Sequence, residues 1–142
     1  RIGMKLGCDQ TRYVDDITFS SDSKTQVDQA HLECVRIMGE EGFSEKLSKT
    51  RYQQNSMRQE VTGLTVNDFP NSSRKFRRKT RAMLHDWKTN GIASASESHI
   101  KGLDPNIFKL IVNGRISFIN SISQTAESTQ LLDIYKKVAH GK

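Results

Sequence analysis

Cysteine, proline, aromatics and long apolar runs are all scarce in this chain, and each scarcity excludes something. Two cysteines in 142 residues, Cys8 and Cys34, are too few for a disulfide framework and too far apart for the close pairs of a zinc site. Both are expected as buried, reduced thiols. No stretch approaches the roughly 18 consecutive apolar residues of a membrane-spanning helix, nothing at the N-terminus resembles a signal peptide, and the mean hydropathy is −0.64. The expectation is a soluble, cytoplasmic protein that meets no membrane. Only 35% of residues are hydrophobic and 7% aromatic, below the usual share for a self-contained domain, so the expected core is thin for the length. The chain has no internal repeat. Arg1 to Gly7 carries no starting Met and reads as the last turn of a helix stopped by Gly7, which is the pattern of a piece of a larger protein.

What is present is charge, unevenly placed. The total of 22 Lys plus Arg against 16 Asp plus Glu is +6. Residues 1–70 hold 9 basic and 11 acidic side chains, net −2, whereas residues 71–142 hold 13 and 5, net +8. Between them lies a cluster of turn formers, Asn67-Asp68-Phe69-Pro70-Asn71-Ser72-Ser73, with one of the two prolines. Two subdomains, 1–69 and 70–142, are expected to meet there, and the basic one suits a polyanion.

The first part mixes strand and helix signals. TRYVDDITFS, residues 11–20, alternates around a two-residue turn with Asp15-Asp16 at its tip, opposing Val14 to Ile17, Tyr13 to Thr18 and Arg12 to Phe19. Ser23 and Gln26 form a candidate capping box, after which Val27, Ala30, Cys34, Ile37 and Met38 recur at helical spacing until Gly42. A short strand near 51–54 and a stronger one over 60–66 predict a second hairpin. In the second part Ser72 or Ser73 can cap a helix to about Thr89, with Phe76, Thr80, Met83, Leu84 and Trp87 on its buried stripe. Residues 92–102 read as loop. Asp104-Pro105 starts another helix whose expected face is Ile107, Phe108, Ile111, Phe118, Ile119 and Ile122, with Gly114 marking close packing or a break. Leu131, Leu132, Tyr135 and Val138 predict a last helix.

Two features carry chemistry. A tight hairpin favours Asn-Gly or Asp-Gly, yet here it presents two adjacent carboxylates, which at about 4 Å repel by about 4 kcal/mol at an effective dielectric near 20. A divalent cation relieves that repulsion, and Mg²⁺ on carboxylates is suited to clamping phosphates in nucleotidyl transfer; a solvated acidic turn also fits. The second feature is six basic side chains within residues 74–81. Arg74, Arg77, Arg78 and Arg81 fall at i, i+3, i+4 and i+7 of a helix, one continuous stripe. Neutralising about four phosphates predicts a salt-dependence slope near −3 to −4. Lys101, Lys109 and Arg115 are candidates to extend this surface, whereas His31, His85, His99 and His140 show no ligand spacing.

RYVDDITFS resembles the catalytic hairpin of reverse transcriptases, in which (Y/F)-x-D-D presents two metal-binding aspartates. GFSEKLSKTR, residues 42–51, is similar to the bacterial segment ending in Lys-Thr-Arg, and VTGLTVN, residues 61–67, resembles the following primer-gripping strand, its Val-Thr-Gly triplet pointing to the retron group. RKFRRKTRAMLHDW and IVNGRISFINSI look like a retron thumb. The resemblance implies an α+β fold, the rear part of a polymerase palm (β-hairpins plus one helix) over 1–69 followed by an all-helical thumb over 70–142. It implies that Asp15 and Asp16 are catalytic ligands of two Mg²⁺ ions, that Lys49 approaches the leaving pyrophosphate, that Tyr13 lies near the primer terminus, and that Val61, Thr62 and Gly63 sit against primer or structured RNA. The implied partners are an RNA template, a DNA product, dNTPs, the upstream fingers and palm, and a retron effector protein in antiviral defence. The family's third carboxylate precedes this hairpin and Arg1 begins too late to include it, so little polymerase activity is expected of this chain alone. The rival readings are a non-catalytic RNA- or DNA-binding module, a plain interaction domain, and, within the polymerases, a group II intron-like or other defence-associated reverse transcriptase.

Overall fold

A computed structural model describes residues 2–141. The chain is α+β and divides into two compact units, Arg1–Met57 and Arg58–Lys142. In the first, the short helix α1 (Ile2–Leu6) leads into an antiparallel hairpin, β1 (Asp9–Tyr13) and β2 (Asp16–Ser20), followed by the long helix α2 (Lys24–Glu40). Gly7 stops α1 with φ +68. Gly3 is required by packing: a Cβ there would lie 2.6 Å from the Cys8 carbonyl oxygen and 2.7 Å from Gln10 Cβ, so only hydrogen lets α1 meet β1. Helix α2 packs on α1 and β2 through a face that buries Ala30 and Cys34. Both cysteines are free and buried, as expected. The expected Ser23–Gln26 capping box is replaced. Ser23 makes no side-chain cap; its N–H donates to Ser21 Oγ, which in turn donates to Gln26 Oε1.

Residues 51–54 form no strand, and the expected 60–66 strand folds back on itself. β3 (Glu60–Val61) and β4 (Leu64–Thr65) pair across Thr62-Gly63, with β5 (Asn71–Ser72) added beside β4. Both turn residues have positive φ, 48° and 82°, the type I′ pattern that matches the twist of its strands and for which glycine is suited. This small sheet belongs to the second unit, with the helices.

Helix α3 (Arg74–Asn90) begins where Ser73 Oγ accepts from the Phe76 N–H at 3.2 Å, a cap whose loss costs about 1 kcal/mol. It buries Thr80, Met83, Leu84 and Trp87, the expected stripe. Residues 92–99 are helical, correcting the loop reading: α4 (Ile92–His99) starts on Gly91 at φ +85, and its small residues Ala95 and Ser96 are buried against neighbouring helices. Ser96 Oγ donates to the Leu103 carbonyl at 2.6 Å. Helix α5 (Pro105–Ile122) starts on Asp104, whose carboxylate accepts from Asn106 N–H at 2.7 Å. Its buried face is Phe108, Val112, Ile116 and Ile119, which keeps Phe108 and Ile119 of the expected face but is rotated away from Ile107 and Phe118, both exposed. It runs straight through Gly114, beside which a Cβ would meet nothing. Helix α6 (Ala126–His140) opens with a reciprocal cap between Thr125 and Ser128. Trp87 meets Phe108 and Tyr135 edge-on at 6.3 and 5.8 Å in the middle of this core, contacts that add about 0.5–1.5 kcal/mol each beyond area burial. Among the described residues no helix is long and apolar enough to cross a membrane.

Candidate metal hairpin and nucleic-acid surface

The hairpin turn lies one residue earlier than the sequence expectation, which shifts every cross-strand partner by two. Tyr13 opposes Asp16, Arg12 opposes Ile17 and Gln10 opposes Phe19, so the turn residues are Val14 and Asp15. The cause lies in Val14, which takes φ 55. Positive φ at the first turn position alone is the pattern of a type II′ turn, where glycine is the natural occupant. A β-branched residue there is a genuine outlier, and conformations of this kind cost about 1–3 kcal/mol and cluster at functional sites. Arg12 Nε donates to the Val14 carbonyl at 2.8 Å and steadies the turn. One consequence is that Tyr13 and Asp16, as cross-strand partners, project from the same face of the hairpin, while Asp15 sits at the apex.

All of these tip residues face solvent, Tyr13 being 67% and Val14 72% exposed. Neither Asp15 nor Asp16 has a side-chain hydrogen bond or ion pair among the described residues. Nor do the described residues contain a group of three or more His, Cys, Asp or Glu side chains placed to hold a metal ion. The hairpin therefore offers two adjacent, unneutralised carboxylates. That donor set fits Mg²⁺, which binds through one or two protein carboxylates and completes its shell with water and phosphate oxygens.

Lys49 is exposed in the segment after α2, and its backbone N–H donates to the Lys46 carbonyl at 2.8 Å, closing a tight turn. No hydrogen bond or ion pair joins it to the aspartates. The segment is held by a network the sequence reading missed. Glu45 accepts from His31 Nε2 at 2.8 Å and from the Thr50 hydroxyl, while the other His31 nitrogen, Nδ1, bonds the Tyr52 hydroxyl at 2.9 Å. The Thr50 and His31 hydrogen bonds hold the Glu45 carboxyl below its ordinary pKa. His31 is a structural hub, and the cue available in sequence was only its place on the helix preceding two acceptor-rich residues.

In the second unit, Val61 is half-buried while Thr62 and Gly63 are exposed at the β3–β4 turn, with open space over Gly63. The four-arginine stripe is real as a helical face, but its members have different fates. Arg78 is exposed, as are the neighbouring Lys75 and Lys79. Arg81 Nη1 lies 3.1 Å from Glu127 Oε1, a proximity without hydrogen-bond alignment, since that oxygen is buried with no hydrogen-bond partner. Arg74 and Arg77 line a cavity that also contains Arg58 and Phe69.

Two residues expected to extend the basic surface are structural. The Arg115 guanidinium stacks 3.9 Å over the Phe76 ring, donates to Thr80 Oγ1 at 3.0 Å and reaches the Phe76 carbonyl at 3.2 Å. Burial pulls its pKa down, because no carboxylate repays the lost hydration. Lys109 Nζ donates to the Ala139 carbonyl near the end of α6 at 3.2 Å, where a cation also suits the helix dipole. Only Lys101 of the three remains exposed.

No protein-family model matches the chain. It is similar to the Retron Mx65 reverse transcriptase of Myxococcus xanthus, 38% identical over 102 residues, which cover 72% of this chain and 24% of that protein. The chain thus aligns with about a quarter of that relative's length. On this match the chain belongs to the retron-type reverse transcriptase family.

Proposed function

We propose that the chain is the C-terminal palm and thumb segment of an RNA-directed DNA polymerase, which adds dNTPs to a primer 3′-hydroxyl on an RNA template. The observation that carries the reading is the β1–β2 hairpin: a (Tyr)-x-Asp-Asp sequence within a family-matched chain, ending in two exposed, unpartnered carboxylates on a strained turn. Asp15 and Asp16 would hold two Mg²⁺ ions together with a carboxylate beyond those this chain groups together. The bound metal would supply Lewis-acid activation of the attacking hydroxyl and charge neutralisation on the phosphates.

The remaining roles belong to side chains. Asp15, at the apex, would be a ligand of the metal, and Asp16 would complete the pair. Tyr13, on the Asp16 face, lies against the primer terminus. Lys49 meets the charge that develops on the leaving pyrophosphate, with the Glu45–His31–Tyr52 network steadying its segment. Val61, Thr62 and Gly63 approach the primer or structured RNA, and Arg74, Arg77 and Arg78 bind phosphates, with Arg81 partly engaged by Glu127. Primer extension by the whole protein tests this. Asp15→Asn is expected to abolish extension and Asp16→Asn to weaken it, while both variants keep template–primer affinity.

A non-catalytic RNA-binding module is the second reading, and the paired basic and aromatic residues of the second unit favour it. It predicts that Asp15→Asn changes nothing measurable.

A further inference from the structure

The turn cluster between the small sheet and α3 reads in sequence as a mere break. In three dimensions it walls a cavity of about 360 Å³, within the size range of small-ligand sites. Three arginines line it: Arg58 from the segment just before β3, and Arg74 and Arg77 from the first turns of α3. Arg58 is already oriented, its Nη2 2.7 Å from Glu60 Oε2 and its Nε donating to Thr65 Oγ1 at 3.2 Å. Its other terminal nitrogen keeps two N–H donors for a ligand. Ser72 also lines the cavity; it is 3% exposed and its hydroxyl has no hydrogen-bond partner. An orphaned buried hydroxyl calls for an explanation, and this one belongs to the wall that also carries the arginines. Beside these donors Phe69 is 81% exposed, although burial would remove its large apolar surface from water. Asn71 forms part of the same wall.

Guanidinium groups and a flat, solvent-facing ring in one pocket match the two parts of a nucleotide, a phosphate and a base. Duplex geometry keeps bases stacked on each other, so only an unpaired one is able to reach the ring. We infer that this cavity seats a single unpaired nucleotide of a nucleic-acid strand, with its phosphate on Arg58, Arg74 and Arg77 and its base stacked on Phe69. Asp68, also in the wall, disfavours a second phosphate and accepts hydrogen bonds from the sugar or base. The inference rests on the nucleic-acid binding proposed above and adds a preference that the arginine stripe alone does not produce.

The test uses the full chain and hairpin probes of RNA and of DNA, each made fully paired or with one bulged 2-aminopurine. The wild type is expected to bind the bulged probe about fivefold or more tightly than the paired one and to quench the 2-aminopurine. Phe69→Ala is expected to erase both effects, and Phe69→Trp to restore them. Arg78→Gln, outside the cavity, weakens paired and bulged probes equally. The sugar showing the larger bulge preference identifies the source strand. Equal affinity of the wild type for paired and bulged probes, or a preference unchanged by Phe69→Ala, overturns the pocket while leaving the broader reading standing. Failure to bind any probe overturns both.

Discussion

Arg115 is the sharpest place to separate architecture from nucleic-acid binding, because an arginine in a basic half would ordinarily be assigned to phosphate contact. Its guanidinium instead joins α5 to α3 through Thr80 Oγ1, the Phe76 carbonyl and the Phe76 ring. Arg115→Met keeps the aliphatic stem and removes the head. Hydrogen bonds from a charged donor contribute about 1.5–3 kcal/mol each. Here the lower end applies, since the site is only half-buried and the Phe76 carbonyl keeps its bond from Thr80 at 2.9 Å. The stacking adds about 0.5–1 kcal/mol. Recovered solvation of neighbouring dipoles offsets part of this, leaving an expected loss of about 2 kcal/mol for the second unit. Urea unfolding followed by the fluorescence of the single Trp87, buried in that core, reads the effect directly, with an unchanged m-value showing that the unfolded state is unaltered. Arg115→Lys, which keeps the charge but not the fork, is expected between wild type and Met. A loss under about 0.5 kcal/mol would refute the reasoning. So would a fall in RNA affinity, under conditions where the variant is folded, as large as that of Arg78→Gln.

Glu127→Gln releases Arg81 from its acidic neighbour, so nucleic-acid affinity is expected to rise and the log–log salt slope to steepen by up to about 1; an unchanged slope would show that Arg81 faces no phosphate. Glu45 supplies a pH prediction. Its folded carboxyl is held below the ordinary value of 4.5, so its contribution to stability is present above that value and is lost as pH falls through the lowered folded pKa. Protection of the amides in residues 43–52, corrected for the intrinsic exchange rate, is expected to fall as pH drops through the lowered Glu45 range beneath the ordinary 4.5, and Glu45→Gln to remove that pH-dependent step while lowering protection near neutrality.

Much of the helical unit was legible in sequence because its signals are local and agree with one another. Ser73 and Asp104 cap where their side chains can reach the next turn, and the 76–87 stripe has one period and one buried face. Helix α5 was legible in extent but not in rotation. It has apolar residues nearly all round, and only contact with α3, α4 and α6 selects Phe108, Val112, Ile116 and Ile119. Helix α4 was missed because its small, polar residues owe their helix to packing rather than propensity. The double-aspartate motif was plain, yet its register was not. A turn with Val14 at positive φ violates the local rule on which any hairpin assignment depends, and Thr62 does the same in the second hairpin. Arg58 and Phe69 escaped notice as partners of Arg74 and Arg77, since residues on either side of a turn cluster meet only when the chain folds. Arg115 and Lys109 show the converse: charge in sequence does not say which way a side chain faces.

The central claim is that the Asp15–Asp16 tip is the metal-binding edge of a DNA-synthesising centre. Its most direct test is Mg²⁺-dependent primer extension by the whole protein carrying Asp15→Asn, run beside a measurement of template–primer affinity. Loss of a catalytic metal ligand removes several kcal/mol of transition-state stabilisation, so the rate is expected to fall by about a hundredfold or more while affinity stays within about twofold. Extension at the wild-type rate with affinity intact would contradict the account.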